Sequence, residues 1–123
     1  MKKVLSALTA VALLTAGGFA SAGTKYENYS LTVPKMNGSV KTSAQTKSNA
    51  GKSANLKVTT LGKHVDARAY SAKGGTGKWV RVSTTGTYDL HNEISKNDAT
   101  RVHVSSDLLT VVASSMKGSW RSN

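Results

Sequence analysis

From residue 29 onward the chain alternates apolar and polar positions, mostly with the two-residue period of a strand and not the 3.6-residue period of a helix. Tyr29, Leu31 and Val33 alternate with Ser30 and Thr32 until Pro34 and the turn pair Asn37-Gly38 interrupt them. Val40, Thr42 and Ala44 form a weaker repeat. Leu56, Val58 and Thr60 form a third, closed by Gly62, and Val65, Ala67, Ala69 and Ser71 a fourth, which runs into Gly74-Gly75-Thr76-Gly77. Val80 with Val82, Tyr88 with Leu90, then Thr100, Val102 and Val104, and finally Leu109, Val111 and Ala113 complete the series. The nearest helical candidate, residues 90–99, is too short and polar to stand alone. The pattern predicts an all-β fold: a single antiparallel β-sandwich, or open barrel, of about seven to eight short strands. Leu31, Val33, Leu56, Val58, Val80, Val82, Val102, Val104, Leu109 and Val111 are expected to face inward.

Residues 1–22 read differently. Lys2 and Lys3 precede an uncharged stretch from Val4 to Phe19, and Ala20-Ser21-Ala22 matches the small-residue pattern of a signal-peptide cleavage site. The stretch is about 16 residues, short of the roughly 20 that a membrane span needs. Residues 1–22 are therefore expected to be a cleaved secretory signal peptide and residues 23–123 a single mature β domain that is secreted, either released freely or retained on the cell surface by charge alone. Within it, residues 43–55 carry almost no apolar bulk and are expected to form a long mobile loop.

The chain has 123 residues and no cysteine, which excludes disulfides and cysteine-ligated metal centres. Seventeen Lys and Arg residues against six acids give a formal charge of +11, and loss of Lys2 and Lys3 with the leader lowers it by two. No acid lies between Glu27 and Asp66, while Lys35, Lys41, Lys47, Lys52, Lys57 and Lys63 recur every five or six residues. Strand parity points Lys41 and Lys57 away from the core, and the other four fall at turns or strand ends. These six lysines are the candidate site for an anionic surface; the alternative is an ordinary solvated surface whose lysines block edge-to-edge pairing. Trp79, beside Lys78 and Arg81, and Trp120, between Lys117 and Arg121 in sequence, are the candidate aromatic contacts, unless both cover the ends of the core.

Other patterns lose their chemistry when inspected. Gly74-Gly75-Thr76-Gly77-Lys78 lacks the first glycine and the terminal hydroxyl of a phosphate-binding loop, with Ala72 and Trp79 in those places, so a Gly-rich turn is expected. His64 with Asp66, and Asp89 with His91 and Glu93, would share strand faces, but a metal site would need them to converge, and no metal or cofactor is expected. His103, Ser105, Ser106 and Asp107 supply the residue types of a hydrolytic triad without a nucleophile elbow, and no catalytic residue is assigned. Lysine outnumbers arginine, which argues against nucleic acid as partner.

Signal, cysteine-free cationic body and Gly- and Ser-rich short strands together resemble small exported proteins of Gram-positive bacteria, some of them bacteriocin-like. The function expected is non-enzymatic: binding of anionic cell-envelope polymers or membrane surfaces, with an antimicrobial role among the uses. The alternative is a secreted carbohydrate-binding or surface and matrix structural domain.

Overall fold

A computed structural model describes residues 21–123, all of them in strands, turns and irregular segments, with no helix among the described residues. Residues 1–20 of the expected signal peptide lie outside the described residues. Ten strands follow one another: β1 (Ser21–Ala22), β2 (Glu27–Val33), β3 (Ser39–Lys41), β4 (Gln45–Thr46), β5 (Ala54–Leu61), β6 (Val65–Tyr70), β7 (Val80–Val82), β8 (Gly86–Leu90), β9 (Ala99–Ser106) and β10 (Ser114–Arg121).

They form two sheets. Sheet I runs β1-β4-β9-β6-β7, with β3 pairing β9 beside β4, and sheet II runs β2-β10-β5-β8. All pairs are antiparallel except the short β1–β4 contact. The connections after β1, β2, β4, β5, β7, β8 and β9 each cross from one sheet to the other. Crossing forces the inward side chains of both sheets into one core: Val65, Ala67, Ala69, Val82, Val102 and Val104 from sheet I, and Val33, Leu56, Val58, Leu90, Met116 and Trp120 from sheet II. The two-residue period is therefore legible in burial, with Thr100, Val102, Val104 and Ser106 of β9 buried and Arg101 exposed between them.

Two expectations about the last strand are corrected. Leu109 and Val111 do not face inward but stand 87% and 74% exposed, in a connection and not a strand. The last strand lies further on, at Ser114–Arg121, and buries only Met116 and Trp120 as apolar residues. Its polar composition hides it from a pattern search, yet it is a central strand of sheet II, bonded to β2 on one side and β5 on the other. Residues 43–55 carry the short strand β4, and within them Lys47 N–H donates to the Asp98 carbonyl while the Lys47 carbonyl accepts from Asn97 N–H.

Lys47, expected at the surface, is buried, and so is Trp120, for which exposure and a place at the end of the core were both open. Trp120 fills the core, and its carbonyl accepts a bond from Gln45 Nε2 at 2.8 Å while Gln45 Oε1 accepts one from Ser122 N–H at 2.8 Å. The Gln45 carboxamide thus acts as an extra peptide unit, tying β4 to the end of β10 across the gap between sheets. Lys47 Nζ donates to the carbonyls of Lys52 and Ser122, the latter at 2.6 Å. Burial, reinforced by the charge of Lys52, pushes the pKa of its ammonium down to about 8.

Gly118 in mid-strand has a steric cause. The β10–β5 register shifts between Lys117 and Gly118, and a Cβ at Gly118 would run into the Lys57 carbonyl and come within 2.8 Å of the Tyr29 hydroxyl. That hydroxyl donates to the same Lys57 carbonyl at 2.8 Å, so the irregularity is locked from the core side.

Gly118→Ala should destabilise the fold by about 1–3 kcal/mol, read as a lower urea midpoint, because backbone cannot yield as a flexible side chain would. Lys47 generates a pH dependence. Between about pH 8 and 10 the unfolded chain keeps the Lys47 proton that the folded chain has released, so stability should rise with pH in that window. Tyr29, whose phenol pKa is raised by burial, opposes the trend only above its ordinary value of 10.0. Urea midpoints measured across the window should climb, and in Lys47→Met this climb should flatten.

Candidate functional site

The outward half of sheet I gathers cations and aromatic rings that are far apart in sequence. Odd positions of β9, even positions of β6 and odd positions of β3 point away from the core. Register then decides which of them are neighbours. His103 lies opposite Lys41 on one side and Arg68 on the other, and Trp79, just before β7, lies beside Arg68. A second row sets Ser39, Ser105, Asp66 and Arg81 side by side, and Arg101 faces Tyr70 in a third.

Arg68 organises the first row. Its Nε–H donates to His103 Nδ1 at 3.1 Å, and its guanidinium carbon lies 4.2 Å from the centre of the Trp79 ring and 5.9 Å from that of Tyr70. Stacking on an aromatic face leaves the Nη edge directed elsewhere and limits the rotamers that a ligand would have to freeze. Lys41 Nζ lies 4.9 Å from the Tyr70 ring centre. The His103 ring packs against Trp79 at 4.9 Å and edge-on to Tyr70 at 5.7 Å.

His103 is held neutral. Burial lowers its pKa, and the positive charges of Arg68 and Lys41 lower it further. Because Nδ1 accepts from Arg68, the proton is assigned to Nε2. Nε2 is buried and has no hydrogen-bond partner among the described residues. It is a donor beside a depression of about 270 Å³ lined by Asn37, Ser39, Asp66, Trp79, His103 and Ser105.

The acids of this face are engaged. Arg81 donates to both carboxylate oxygens of Asp107 at 2.6 and 2.8 Å, and its Nη1 lies 3.6 Å from Asp66. The Arg81 guanidinium holds the Asp107 carboxyl below the usual carboxylate range. Arg68 and Lys41 have no carboxylate partner among the described residues. Of the triad residue types, Asp107 is bonded to Arg81, Ser106 faces the core and His103 Nδ1 is taken by Arg68, while Ser105 lines the same depression as His103. His91 Nδ1 lies 2.7 Å from Ser53 Oγ and Asp89 accepts from Asn55, so that pair does not converge on a common ligand.

The six lysines do not form one face. Lys41 belongs to sheet I and Lys57 to the outer face of sheet II, where it covers Tyr26 at 4.2 Å with Arg121 at 4.7 Å. Lys35 and Lys63 are exposed in connections at one end of the molecule, Lys52 is exposed in the turn before β5, and Lys47 is buried. Of the two tryptophans, Trp79 is 43% exposed and Trp120 is inside. Sequence reasoning missed Arg68, Tyr70 and His103 as partners of Lys41 and Trp79. Strand parity puts Arg68 and Tyr70 on one face, but only the pairing of β6 with β9 and β9 with β3 brings Lys41 beside them.

Arg68→Gln should raise the His103 pKa toward its ordinary value, measured by NMR titration of the imidazole, since it removes both a nearby charge and the bond to Nδ1. Lys41→Gln should move it in the same direction by less, because Lys41 is the smaller of the two electrostatic causes. No protein-family model, no curated protein and no solved structure matches this chain, so the reading of the site rests on its own geometry.

Proposed function

We propose that this protein is exported, processed at or near Gly23, and acts as a cationic, non-enzymatic β-sandwich domain that binds an anionic cell-envelope polymer through the outer face of sheet I. The observation that carries the reading is the Lys41–His103–Arg68–Trp79 row. Arg68 is braced by Trp79 and His103 with its Nη groups unpaired by any described carboxylate, and Lys41 stands on one side. A guanidinium fork held in place suits the paired oxygens of phosphate or carboxylate, and a flat row across neighbouring strands suits a repeating chain more than a small enclosed ligand. The formal charge, +11 on the full chain and two less once Lys2 and Lys3 are removed, concentrates the protein on such a polymer before contact is made.

The exposed face of Trp79 favours a second reading, in which a neutral sugar stacks beside it. Salt separates the two, because charge-driven binding weakens as the Debye length shrinks and stacking scarcely responds.

Binding to glycerol-phosphate polymer should fall steeply with added salt. In the double variant Lys41→Gln/Arg68→Gln it should drop by about tenfold or more, the loss of one or two charge-assisted bonds. Substitution of Lys96 and Lys117 by glutamine matches the charge change away from the row and should have a smaller effect. Equal losses in both double variants would mean that net charge alone is responsible. Salt-independent binding to neutral glycans, abolished by Trp79→Ala, would instead establish the second reading.

A further inference from the structure

One end of the molecule carries an apolar prominence that neither the core nor the polymer-binding row uses. Strand register brings four connections to this end: Val33 pairs with Ser114, Leu61 with Met116, Val65 with Ser106 and Val82, and Ser39 with Ser105. Residues 34–38, 62–64, 83–85 and 107–113 therefore lie together beyond the strand ends. Among them Met36 is 60% exposed, Leu108 70%, Leu109 87%, Val111 74% and Val112 51%; Trp79 is the one other exposed large apolar side chain among the described residues.

These side chains are held out, not frayed. Met36 N–H donates to the Thr110 carbonyl at 2.8 Å, Asn37 N–H to the Asp107 carbonyl at 3.0 Å, and Thr110 N–H closes a turn on Asp107 at 3.0 Å. Two connections that leave different sheets are thus clipped into one convex unit. A contiguous exposed apolar patch on a folded domain marks a place where something else removes it from water.

Charge identifies the occupant. Lys35 adjoins Met36, and Lys63 projects from the neighbouring connection, both exposed. Asp107 is the only acid in the four connections, and Arg81 neutralises it with two hydrogen bonds. A second copy meeting this end symmetrically would gather two copies each of Lys35 and Lys63 in one interface, with no free acid from these connections to balance them. A surface with an apolar interior and a negative rim satisfies both features, and that is the structure of an anionic bilayer.

We propose that this end inserts Met36, Leu108, Leu109, Val111 and Val112 into the headgroup and upper acyl region of an anionic lipid membrane, with Lys35 and Lys63 at the lipid phosphates. The inference stands apart from the polymer-binding row, which lies further along the outer face of sheet I.

The test is sedimentation of the full mature chain with vesicles of phosphatidylglycerol mixed with phosphatidylcholine, and of phosphatidylcholine alone. Leu109→Ser/Val111→Ser, whose side chains are exposed and so should leave the thermal melt unchanged, should weaken binding to the mixed vesicles by about tenfold or more. Lys35→Gln/Lys63→Gln should weaken binding to the mixed vesicles and not to phosphatidylcholine. In Leu109→Trp, a blue shift of the added emission and its quenching by brominated lipid should report insertion. Retained glycerol-phosphate polymer binding by Leu109→Ser/Val111→Ser keeps this inference separable from the previous one. Unchanged vesicle binding in that double variant, or an added indole emission in Leu109→Trp that vesicles do not shift, would overturn the proposal. A concentration-dependent dimer that the double variant dissolves, without vesicle binding by the native chain, would overturn it in favour of self-association.

Discussion

The pleat of β9 is the constraint on which both halves of this molecule depend. Its backbone pairs with β6 on one edge and with β3 and β4 on the other, so it fixes the register of most of sheet I. Thr100, Val102, Val104 and Ser106 then point into the core, and Arg101, His103 and Ser105 point out among the charged and aromatic groups of β3 and β6. Because the side-chain period is two, a slip of one residue would exchange these sets, burying Arg101 and His103 and exposing the valines. Core packing therefore enforces the arrangement of the outer face.

The same interlocking explains how a chain with modest apolar content closes its core. Repeated crossing between sheets places local segments against distant ones, and polar side chains fill the seams where strands are short. Gln45 substitutes for backbone at the end of β10, Thr42 Oγ1 accepts from Val102 N–H where β3 and β4 are interrupted, and Asn92 bonds the Lys52 and Leu90 carbonyls. Each such group is buried with its bonds made, which limits the desolvation cost. Lys47 is more costly, since its charge leaves water for two carbonyls and no carboxylate, and its depressed pKa is the measure of that conflict.

Excess positive charge is distributed with its own logic. Asp66 and Asp107 are both drawn to Arg81, which leaves Arg68 and Lys41 without a carboxylate partner among the described residues on one flank and the apolar end without a free negative charge on the other. One ion pair at the junction thus shapes the field on two surfaces. Exposed though it is, its bidentate geometry fixes Asp107 at the root of the 107–113 connection.

How much of this was legible depends on the range of the interaction. The alternation in Leu56–Val58, Val65–Ala69 and Val102–Val104 follows from bond geometry within a few residues, so the sequence alone determined the all-β character, the inward faces of β5, β6 and β9, the cysteine-free chemistry and the charge. It misplaced the last strand because apolar identity does not say whether a face exists to bury against. Leu109 and Val111 have a strand-like spacing but no partner strand, while Met116 and Trp120, separated by polar residues and Gly118, have one on each side. Lys47 was expected outside, and the place of Trp120 was left open, for a related reason: the burial of Lys47 depends on Ser122 and that of Trp120 on Gln45 and β2, all distant in sequence. The cluster of Lys41, Arg68, Tyr70, Trp79 and His103 was invisible for the same cause. Tertiary structure decided it, since neighbours across a sheet are set by the register of hydrogen bonds between distant segments, and a residue's own surroundings in sequence carry no record of that register.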